Sequence, residues 1–246
     1  MISVVIPVFN EENNVLPVCM ELKDVLDKQP QDYEIIFVDD GSTDETGTRL
    51  QKQVSEMSNL RVVQLSNRFG KSAALTAGFD NCRGDIIVTL DGDGQDDPKN
   101  IPLLLAKMNG NIDVVCGWRF DRKDSTIKKI NSKIYNILNR IFSKVRIHDN
   151  NCTLRVYRKE AVTNLSLIKG AHRYLPAILT SRGFKLSEIE ISHRPRLSGK
   201  SKYGAKRLFK GLVDLFKFNL FLKNKYIKKS TNQTLYDIKA KYGFEI

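Results

Sequence analysis

The sequence predicts an α/β protein with a doubly wound, mostly parallel sheet and a basic helical carboxy-terminal extension. Three observations support this. Short runs rich in β-branched residues alternate with helix-like segments over residues 1–118. The runs are apolar at successive positions, which is typical of strands buried on both faces. Polar residues gather directly after the runs, at the sheet edge where such folds bind ligands.

The elements follow in order. Apolar runs predict strands over 2–8, 33–39, 61–66, 85–91 and 112–118, separated by helices near 11–28, 44–57, 70–82 and 98–108. Beyond residue 118 we expect a long basic helix over about 125–144, a strand over 152–158, a helix near 172–182 and a strand over 185–194. A helix from about 204 to 222 has a broad apolar face, and the tail after it is basic and polar.

Charge is divided unevenly along the chain. Residues 1–117 hold 10 Lys and Arg against 19 Asp and Glu, a balance of −9. Residues 118–246 hold 30 against 9, a balance of +21. Such a basic half suits a membrane surface, a nucleic acid or a phosphorylated ligand. For any single lysine, a solvated basic surface is the alternative.

Cysteine usage and hydropathy indicate the compartment. The scattered cysteines lack metal-ligand spacing and are expected to be free thiols in a reducing cytosol: Cys19, Cys82, Cys116 and Cys152. The amino terminus has no signal-peptide pattern. No run approaches the roughly 20 apolar residues that span a bilayer, because charged residues interrupt the most apolar stretch, 208–223.

Polar loops are expected after the first four strands, over 10–13, 39–45, 67–72 and 91–97. Parallel strands bring such loops to one edge, which favours a binding site over four separate turns. Local explanations stand beside this one. Ser42 or Thr43 with Asp44 suits a helix cap, and Asp97 before Pro98 suits an N-cap.

The loop after the fourth strand crowds four carboxylates into seven residues: Asp91, Asp93, Asp96 and Asp97. Asp91 and Asp93 project to the same side of an extended backbone. They can therefore share one Mg²⁺ or Mn²⁺, hard cations that prefer oxygen ligands. A plain acidic loop is the alternative, and Asp96 has no assigned role.

Two known motifs that parts of this sequence resemble are excluded. The loop is not an EF-hand calcium loop, because Asp96 and Pro102 stand where Gly and Glu are required. The segment 69–72 ends like a phosphate-binding P-loop, but Leu65 stands where the first glycine is required.

Seven segments together resemble glycosyltransferase family 2, and more narrowly the polyprenyl- or dolichyl-phosphate sugar transferases. They occur in the family's order over about residues 1–215: VVIPVFNEENNV, VDDGSTDET, LDGDGQDDP, GWR, DNNCTLRVYRKEA, HRYLPAIL and HRPRLSGKSKYG. A lone Asp-x-Asp is weak evidence, whereas seven ordered motifs are specific. The resemblance implies a GT-A fold, a nucleotide-sugar donor, a divalent metal and inversion at the anomeric carbon.

The resemblance places the donor site in the first half. It implies donor contacts from Pro7, Phe9, Glu11, Val38, Asp40, Asp91, Gly92 and Arg119, and metal ligation by Asp91, Asp93 and Gln95. Asp40 matches the residue that binds the nucleobase, and Asp39 is expected to shape the turn. A carboxylate accepts the ring N–H that uracil and guanine share, so it does not choose between UDP and GDP. Phe9 replaces a common Tyr and loses its hydroxyl.

The resemblance also implies four catalytic residues. Asp93 lies in the acidic half, and Asp149, Arg196 and Lys202 lie in the basic half. Arg196 and Lys202 lie in a family loop that closes over the donor, where they would neutralise the leaving diphosphate. Asp149 would act as general base toward a hydroxyl acceptor. A phosphate acceptor is already ionised and leaves Asp149 an orienting role.

For the acceptor phosphate, the family uses an arginine and a serine on the helix after GWR. Lys128 and Ser132 stand there, and the lysine lacks the bidentate fork of arginine. Arg122 and Lys123 are candidates to compensate. The NRFGKSAAL stretch fits the family's loop that enters the third helix, and a helix cap with a solvated Lys71 is the alternative. His172 and His193 are expected to be structural.

We therefore expect one GT-A domain over 1–222, with a nucleotide-sugar half (1–118), an acceptor half (119–222) and a basic tail (223–246). The expected reaction moves a sugar from a UDP- or GDP-sugar to a polyprenyl phosphate at the cytoplasmic face of a membrane, in cell envelope biosynthesis. The 204–222 helix would meet the membrane, or pack on the domain or a second subunit of a homo-oligomer. A hydroxyl acceptor, a nucleotidyltransferase and a nucleic-acid-binding module are the alternatives, and the acidic loops do not suit the last.

Overall fold

The computed structural model describes residues 1–120, 145, 147–192, 194–195 and 235–244. Within these residues one eight-stranded sheet has the order β7-β5-β6-β4-β1-β2-β3-β8. The strands are β1 (Ile2–Val8), β2 (Tyr33–Asp39), β3 (Leu60–Leu65), β4 (Ile86–Thr89), β5 (Val114–Arg119), β6 (Arg155–Arg158), β7 (Leu186–Ile191) and β8 (Ile238–Tyr242).

Helices connect the strands. They are α1 (Val15–Leu26), α2 (Thr46–Glu56), α3 (Lys71–Asp80), α4 (Ile101–Lys107), α5 (Lys159–Val162) and α6 (Leu175–Ser181). Short 3₁₀ turns, Pro98–Asn100 and Ala171–Tyr174, lead into α4 and α6. The helix predictions over 125–144 and 204–222 lie outside the described residues.

The sheet is mostly parallel. β1 pairs in parallel with β2 and β4, β2 with β3, and β5 with β7. β6 runs antiparallel between β4 and β5, and β8 runs antiparallel beside β3. Two reversals separate β4 from β5, so β5 and β7 point the same way as the parallel core.

Successive residues of the central strands enter two separate hydrophobic cores. Val4 of β1 joins the core that holds α1, α2 and α4, whereas its neighbour Val5 joins the core that holds α3 and α6. Both valines are fully buried. The sheet is therefore covered on both faces, which confirms the doubly wound α/β prediction and explains why its strands are apolar throughout.

The predicted strands of the first half are confirmed to within a few residues. The first helix is shorter than predicted, because residues 11–14 form a turn before α1 begins at Val15. The fourth strand ends at Thr89, so Asp91 and Asp93 lie in the loop after it. All four cysteines are free, as expected. Burial raises the pKa of Cys19 and Cys116 to about 11.

The last strand was not predicted. Residues 238–242 of the basic tail form β8, which pairs with β3 at the sheet edge. Tyr236 donates a hydrogen bond to Asp80 at 2.7 Å, and the Arg61 guanidinium lies 3.6 Å from the ring centre of Phe244. Lys239 and Lys241 give this short edge strand a charged surface, which is a common protection against edge-to-edge pairing.

No helix in the described ranges is both long enough and apolar enough to cross a membrane.

Candidate active site

The carboxyl ends of the parallel strands meet at one side of the sheet, which we call the loop edge. It comprises residues 9–14, 40–45, 66–70 and 90–97, which follow β1 to β4. β5 delivers Arg119 to the same edge, because it runs in the same direction. β6 runs the opposite way, so residues 149–154, which lead into it, begin there too. The fold thus brings the predicted donor and metal residues to one place.

The loops after β1 and β2 are tied together by hydrogen bonds. The Asn10 N–H donates to Ser42 Oγ and the Glu11 N–H to Thr46 Oγ1, both at 2.9 Å. Asp44 accepts the Thr46 N–H at 3.0 Å just before α2. The cap prediction is only partly met, because Glu45 is the N-cap residue and the hydroxyls of Ser42 and Thr43 accept hydrogen bonds from Asn10 instead. These contacts fix the shape of the predicted nucleoside end of the site.

The predicted donor-binding residues in and after β1 and β2 differ in the groups they have available for a ligand. Pro7 lies within β1, and the side chain of Val38 is fully buried in the core. A donor contact at Val38 therefore has to come from its main chain. The Arg68 guanidinium lies 3.9 Å from the ring centre of Phe9, a cation–π contact at the mouth of the loop edge. Glu11 accepts a hydrogen bond from Asn14 at 2.6 Å.

Asp40 is buried and holds the next loop in place. Its carboxylate accepts the N–H groups of Phe69 at 2.8 Å and Gly70 at 2.9 Å. Burial raises the pKa of Asp40 above its ordinary value, although the two N–H donors oppose the shift. Asp39 accepts the Ser42 N–H at 2.9 Å and so shapes the turn, as expected.

The acidic loop after β4 is organised by two different contacts. The Asp91 carboxylate forms an ion pair with the Lys71 ammonium at the start of α3. The Asp93 carboxylate accepts the Gln95 N–H at 3.1 Å, across Gly94, whose φ of 75° suits a residue without a side chain. Asp93 is only 8% exposed. These contacts offset the expected repulsion at Asp91 and Asp93.

Charge at Asp91 is set by two opposing effects. Burial raises the pKa of its carboxyl group, and the Lys71 ammonium offsets this, so that the pKa lies below its ordinary value. Asp91 is therefore ionised at neutral pH, as a cation ligand has to be.

The other two carboxylates of the loop brace it. Asp96, which the sequence left without a role, is buried and accepts the Asp91 N–H at 3.0 Å and the Thr153 hydroxyl at 2.9 Å. Burial and the nearby Asp91 carboxylate raise its pKa. Asp97 accepts the Lys99 N–H at 3.0 Å and caps the 3₁₀ turn, as predicted. Asp96 thus joins the acidic loop to the segment that carries Asp149.

Gly92 is packed against β1. A β-carbon at this position would lie 2.4 Å from Val8 Cγ1 and 3.3 Å from Ile6 Cγ2. Real side chains do not approach so closely, so the close approach of this loop to β1 accounts for the glycine without reference to a ligand.

We expect Gly92→Ala to destabilise the fold by about 1–3 kcal/mol, because a methyl group has to displace a stiff β-branched side chain in a packed core. Urea denaturation of the two proteins measures this loss. In a Val8→Ala background the same glycine replacement should be much less costly. An equal loss in both backgrounds would show that the contact with Val8 is not the cause.

Arg119 and Asp149 form a bidentate ion pair. Arg119 Nε and Nη2 donate to the two Asp149 oxygens at 2.7 and 3.1 Å. The Asp149 side chain is 2% exposed and that of Arg119 11%. Burial lowers the pKa of Arg119, but Asp149 more than compensates and the pKa lies above its ordinary value. The two predicted functional residues therefore engage each other at the ends of β5 and of the segment before β6.

The chain leaving β7 is anchored to the acidic loop by a residue that sequence analysis overlooked. The Arg194 N–H donates to the Gln95 carbonyl at 3.0 Å. Its guanidinium donates to Glu21 at 2.8 Å and to Asp97 at 3.0 Å. Arg194 precedes the predicted catalytic Arg196 by two positions, which was the available signal.

His172 packs beside the start of α3. Its Nδ1 lies 2.9 Å from Ser72 Oγ, and its main-chain N–H donates to the same oxygen at 3.3 Å. Burial, followed by the charges of Lys71 and Arg173, lowers the pKa of His172 well below its ordinary value. The expectation of a structural histidine is thus consistent with its surroundings.

This shift predicts a dependence of stability on pH. His172 stays neutral in the folded protein, whereas the unfolded chain takes up a proton below about pH 6.5. Wild-type stability should therefore fall as the pH decreases below that value, and His172→Asn should lack this part of the loss. Urea denaturation at pH 7.5 and 5.5 tests it, with the other two histidines common to both proteins. Equal acid losses would contradict the assignment.

The remaining predicted site residues lie outside the described residues: Arg122, Lys123, Lys128, Ser132, His193, Arg196 and Lys202.

Two carboxylates of the acidic loop are suited to a divalent cation. Asp91 is ionised and already holds a positive charge, the Lys71 ammonium, and Asp93 and the Gln95 amide supply further oxygens nearby in the chain. The described residues contain no group of three or more His, Cys, Asp or Glu side chains arranged for a metal. Mg²⁺-type sites commonly use one or two carboxylates together with substrate phosphates, so the residues present fit such an ion.

This mostly parallel sheet, with an acidic loop at its loop edge, has the architecture of a glycosyltransferase domain of the GT-A class. The chain belongs to Glycosyl transferase family 2, whose model matches residues 3–165.

Two relatives indicate which members of the family this chain resembles. The chain is 37% identical over 229 residues to a dodecaprenyl-phosphate galacturonate synthase of Rhizobium johnstonii, covering 91% of this chain and 68% of that protein. It is 36% identical over 216 residues to an undecaprenyl-phosphate 4-deoxy-4-formamido-L-arabinose transferase of Pseudomonas fluorescens, covering 87% and 63%. The chain thus spans about two thirds of the length of these polyprenyl-phosphate sugar transferases.

Solved structures agree on the fold. A glucosyl-3-phosphoglycerate synthase of Mycobacterium tuberculosis, determined with Mn²⁺, UDP-glucose and glycerol 3-phosphate, superposes with a TM-score of 0.68 at 21% identity. The match covers 91% of this chain and 79% of that one. The expected GT-A fold is confirmed.

Proposed function

We propose that this glycosyltransferase moves a sugar from a UDP- or GDP-sugar to a polyprenyl phosphate, with inversion at the anomeric carbon and with a bound Mg²⁺ or Mn²⁺. One observation carries the proposal: the Asp91 carboxylate, paired with Lys71, and the buried Asp93 lie at the same edge as the polar loops that follow β1 and β2. The names of the relatives support the acceptor class.

Asp40 is the proposed contact for the nucleobase. Its oxygens accept two main-chain N–H groups, and an ionised carboxylate has about four acceptor positions in all. Capacity therefore remains for the ring N–H of uracil or guanine. Phe9, Glu11 and the main chain at Pro7 and Val38 would line the same end of the site.

Asp91, Asp93 and Gln95 are the proposed ligands of the cation. The ion, when bound, neutralises charge on the departing diphosphate. Asp96 would hold Asp91 in place through its main chain, since it accepts the Asp91 N–H at 3.0 Å. Gly92 would allow the loop to lie close to β1.

The state of Asp149 favours a phosphate over a hydroxyl acceptor. A general base needs an oxygen directed at the proton it removes. Both Asp149 oxygens are instead engaged in a bidentate ion pair with Arg119, a charge-assisted contact that proton removal by Asp149 would have to weaken. An acceptor phosphate is already ionised and needs no base, so its oxygen would attack the anomeric carbon while the bond to the diphosphate breaks. In this mechanism Asp149 orients Arg119, and Arg119 faces the phosphates.

The other proposed contacts use residues beyond the described ranges. Arg196 and Lys202 would neutralise the leaving diphosphate, and Arg122, Lys128 and Ser132 would hold the acceptor phosphate. A polyprenyl chain resides in a bilayer, so the reaction would take place at a membrane surface, to which the basic half of the chain would be attracted.

A matrix of donors and acceptors tests the proposal. The protein is incubated with Mn²⁺ and a panel of UDP- and GDP-sugars, with undecaprenyl phosphate, with undecaprenol or without acceptor, and released nucleoside diphosphate is measured. We expect release that requires the lipid phosphate and stops in a chelator. Release with the alcohol alone would favour the hydroxyl acceptor, and released pyrophosphate would indicate a nucleotidyltransferase instead.

A further inference from the structure

Lys71 forms an ion pair that joins two loops of the site. Its ammonium contacts Asp91 Oδ1, although the two residues are twenty positions apart. The two side chains are 26% and 34% exposed, so the pair is shielded from water on most sides yet open toward the loop edge. A lysine in this position is more than a solvated surface charge.

The main chain on both sides of Lys71 is held. Before it, the Asp40 carboxylate accepts the N–H groups of Phe69 and Gly70, and Gly70 has a φ of 96°. After it, Ser72 is buried and contacts His172. The Lys71 side chain therefore extends from a fixed point of the backbone toward the acidic loop. Only the flexible side chain itself is able to move.

We propose that Lys71 is the resident counter-ion of Asp91 and a donor-binding residue, which passes from Asp91 to the donor's diphosphate when the divalent cation takes Asp91. The proposal rests on the proposed function, because it requires a cation and a nucleotide diphosphate at this edge. It assigns Lys71 two roles, each with its own consequence.

The first role is competition. Before donor arrives, the ammonium occupies the oxygen that the divalent cation needs, so it opposes binding of the cation alone. It also compensates charge in a loop that holds Asp91, Asp93, Asp96 and Asp97. Removing the ammonium should therefore make the cation bind more tightly.

The second role is attraction. Once released from Asp91, the ammonium lies next to the position of the cation and so next to the diphosphate, with which lysine pairs as a point charge. Removing it should weaken nucleotide binding at saturating cation. The two effects have opposite signs, which a general loss of folding cannot produce. A general loss of positive charge can produce both, so a control at another lysine of the same loop is required.

Binding measurements on the full chain test both roles without reference to turnover. Free Mn²⁺ is followed by electron paramagnetic resonance in the absence of nucleotide. UDP and GDP binding is then measured by calorimetry at saturating Mn²⁺. Lys71→Met removes the charge but keeps the length, and Lys71→Arg keeps the charge. Lys99→Met is the matched control, because Lys99 is exposed and lies just beyond the same acidic loop.

For Lys71→Met we expect Mn²⁺ to bind about three- to tenfold more tightly and the preferred nucleotide about three- to tenfold more weakly, as the loss of one partly shielded ion pair implies. Lys71→Arg and Lys99→Met should stay within about twofold of wild type for Mn²⁺. Should Lys71→Met fail to fold, Lys71→Gln repeats the test with a polar head in the same place.

Three results would overturn the proposal. Unchanged Mn²⁺ affinity in Lys71→Met would remove the counter-ion role, and unchanged nucleotide affinity would remove the donor contact. Equal shifts in Lys99→Met would show that both effects come from the loss of any positive charge near the acidic loop. Wild-type protein that binds neither Mn²⁺ nor either nucleotide would instead refute the proposed function itself, so the two failures are distinguishable.

Discussion

Asp93→Ala is expected to lower sugar transfer by about a thousandfold or more, since it removes a proposed ligand of the cation that would stabilise the leaving diphosphate. The side chain is buried beside Gln95, and alanine also removes the hydrogen bond to the Gln95 N–H. Release of nucleoside diphosphate under saturating donor and acceptor measures the change.

Two further variants separate chemistry from folding. Asp93→Asn keeps an oxygen for the Gln95 N–H and should be folded but nearly as inactive as the alanine variant. Asp85→Ala is the control, because Asp85 precedes the same strand at its opposite end and its side chain is 84% exposed. Near-wild-type transfer by Asp93→Asn would exclude Asp93 as a ligand.

Asp149→Ala is expected to destabilise the folded protein by about 3–5 kcal/mol, because it leaves the buried Arg119 guanidinium without its partner. The midpoint of urea denaturation measures this loss. Transfer should fall as well, since Arg119 loses the bidentate contact that orients it.

A paired replacement of both residues provides the control. Replacing both residues, as Arg119→Met with Asp149→Leu, removes the unpaired charge and should cost clearly less than Asp149→Ala alone. If the single variant loses less than about 1 kcal/mol, the pair behaves like a surface ion pair and the buried arrangement is wrong.

The sequence predicted the parallel core because its strands are buried on both faces, so that the apolar runs are continuous and the turns between them are polar. It did not predict β8, a strand of only five residues in the basic tail, in which Lys239 and Lys241 alternate with Ile238, Ala240 and Tyr242. An edge strand has only one partner, and its existence depends on the exposed edge of β3 rather than on its own composition.

Prediction of the site from sequence was also limited by contacts between distant parts of the chain. Local motifs identified which loops carry Asp40, Asp91 and Asp93, since each follows a recognisable strand. They did not identify the partners, because the contacts of Asp91 with Lys71 and of Asp96 with Thr153 span twenty and fifty-seven positions and exist only in the folded chain. The four clustered carboxylates thus have four different environments that no local pattern distinguishes.

Product analysis tests the central claim most directly. The protein is incubated with Mn²⁺, its preferred nucleotide sugar and undecaprenyl phosphate, and the lipids are extracted and analysed by mass spectrometry. We expect a glycosyl phosphate lipid, heavier than undecaprenyl phosphate by one sugar residue, formed only with the cation and absent with Asp93→Ala. A full yield of that lipid in chelator, or a sugar found only on a hydroxyl acceptor, would contradict the account.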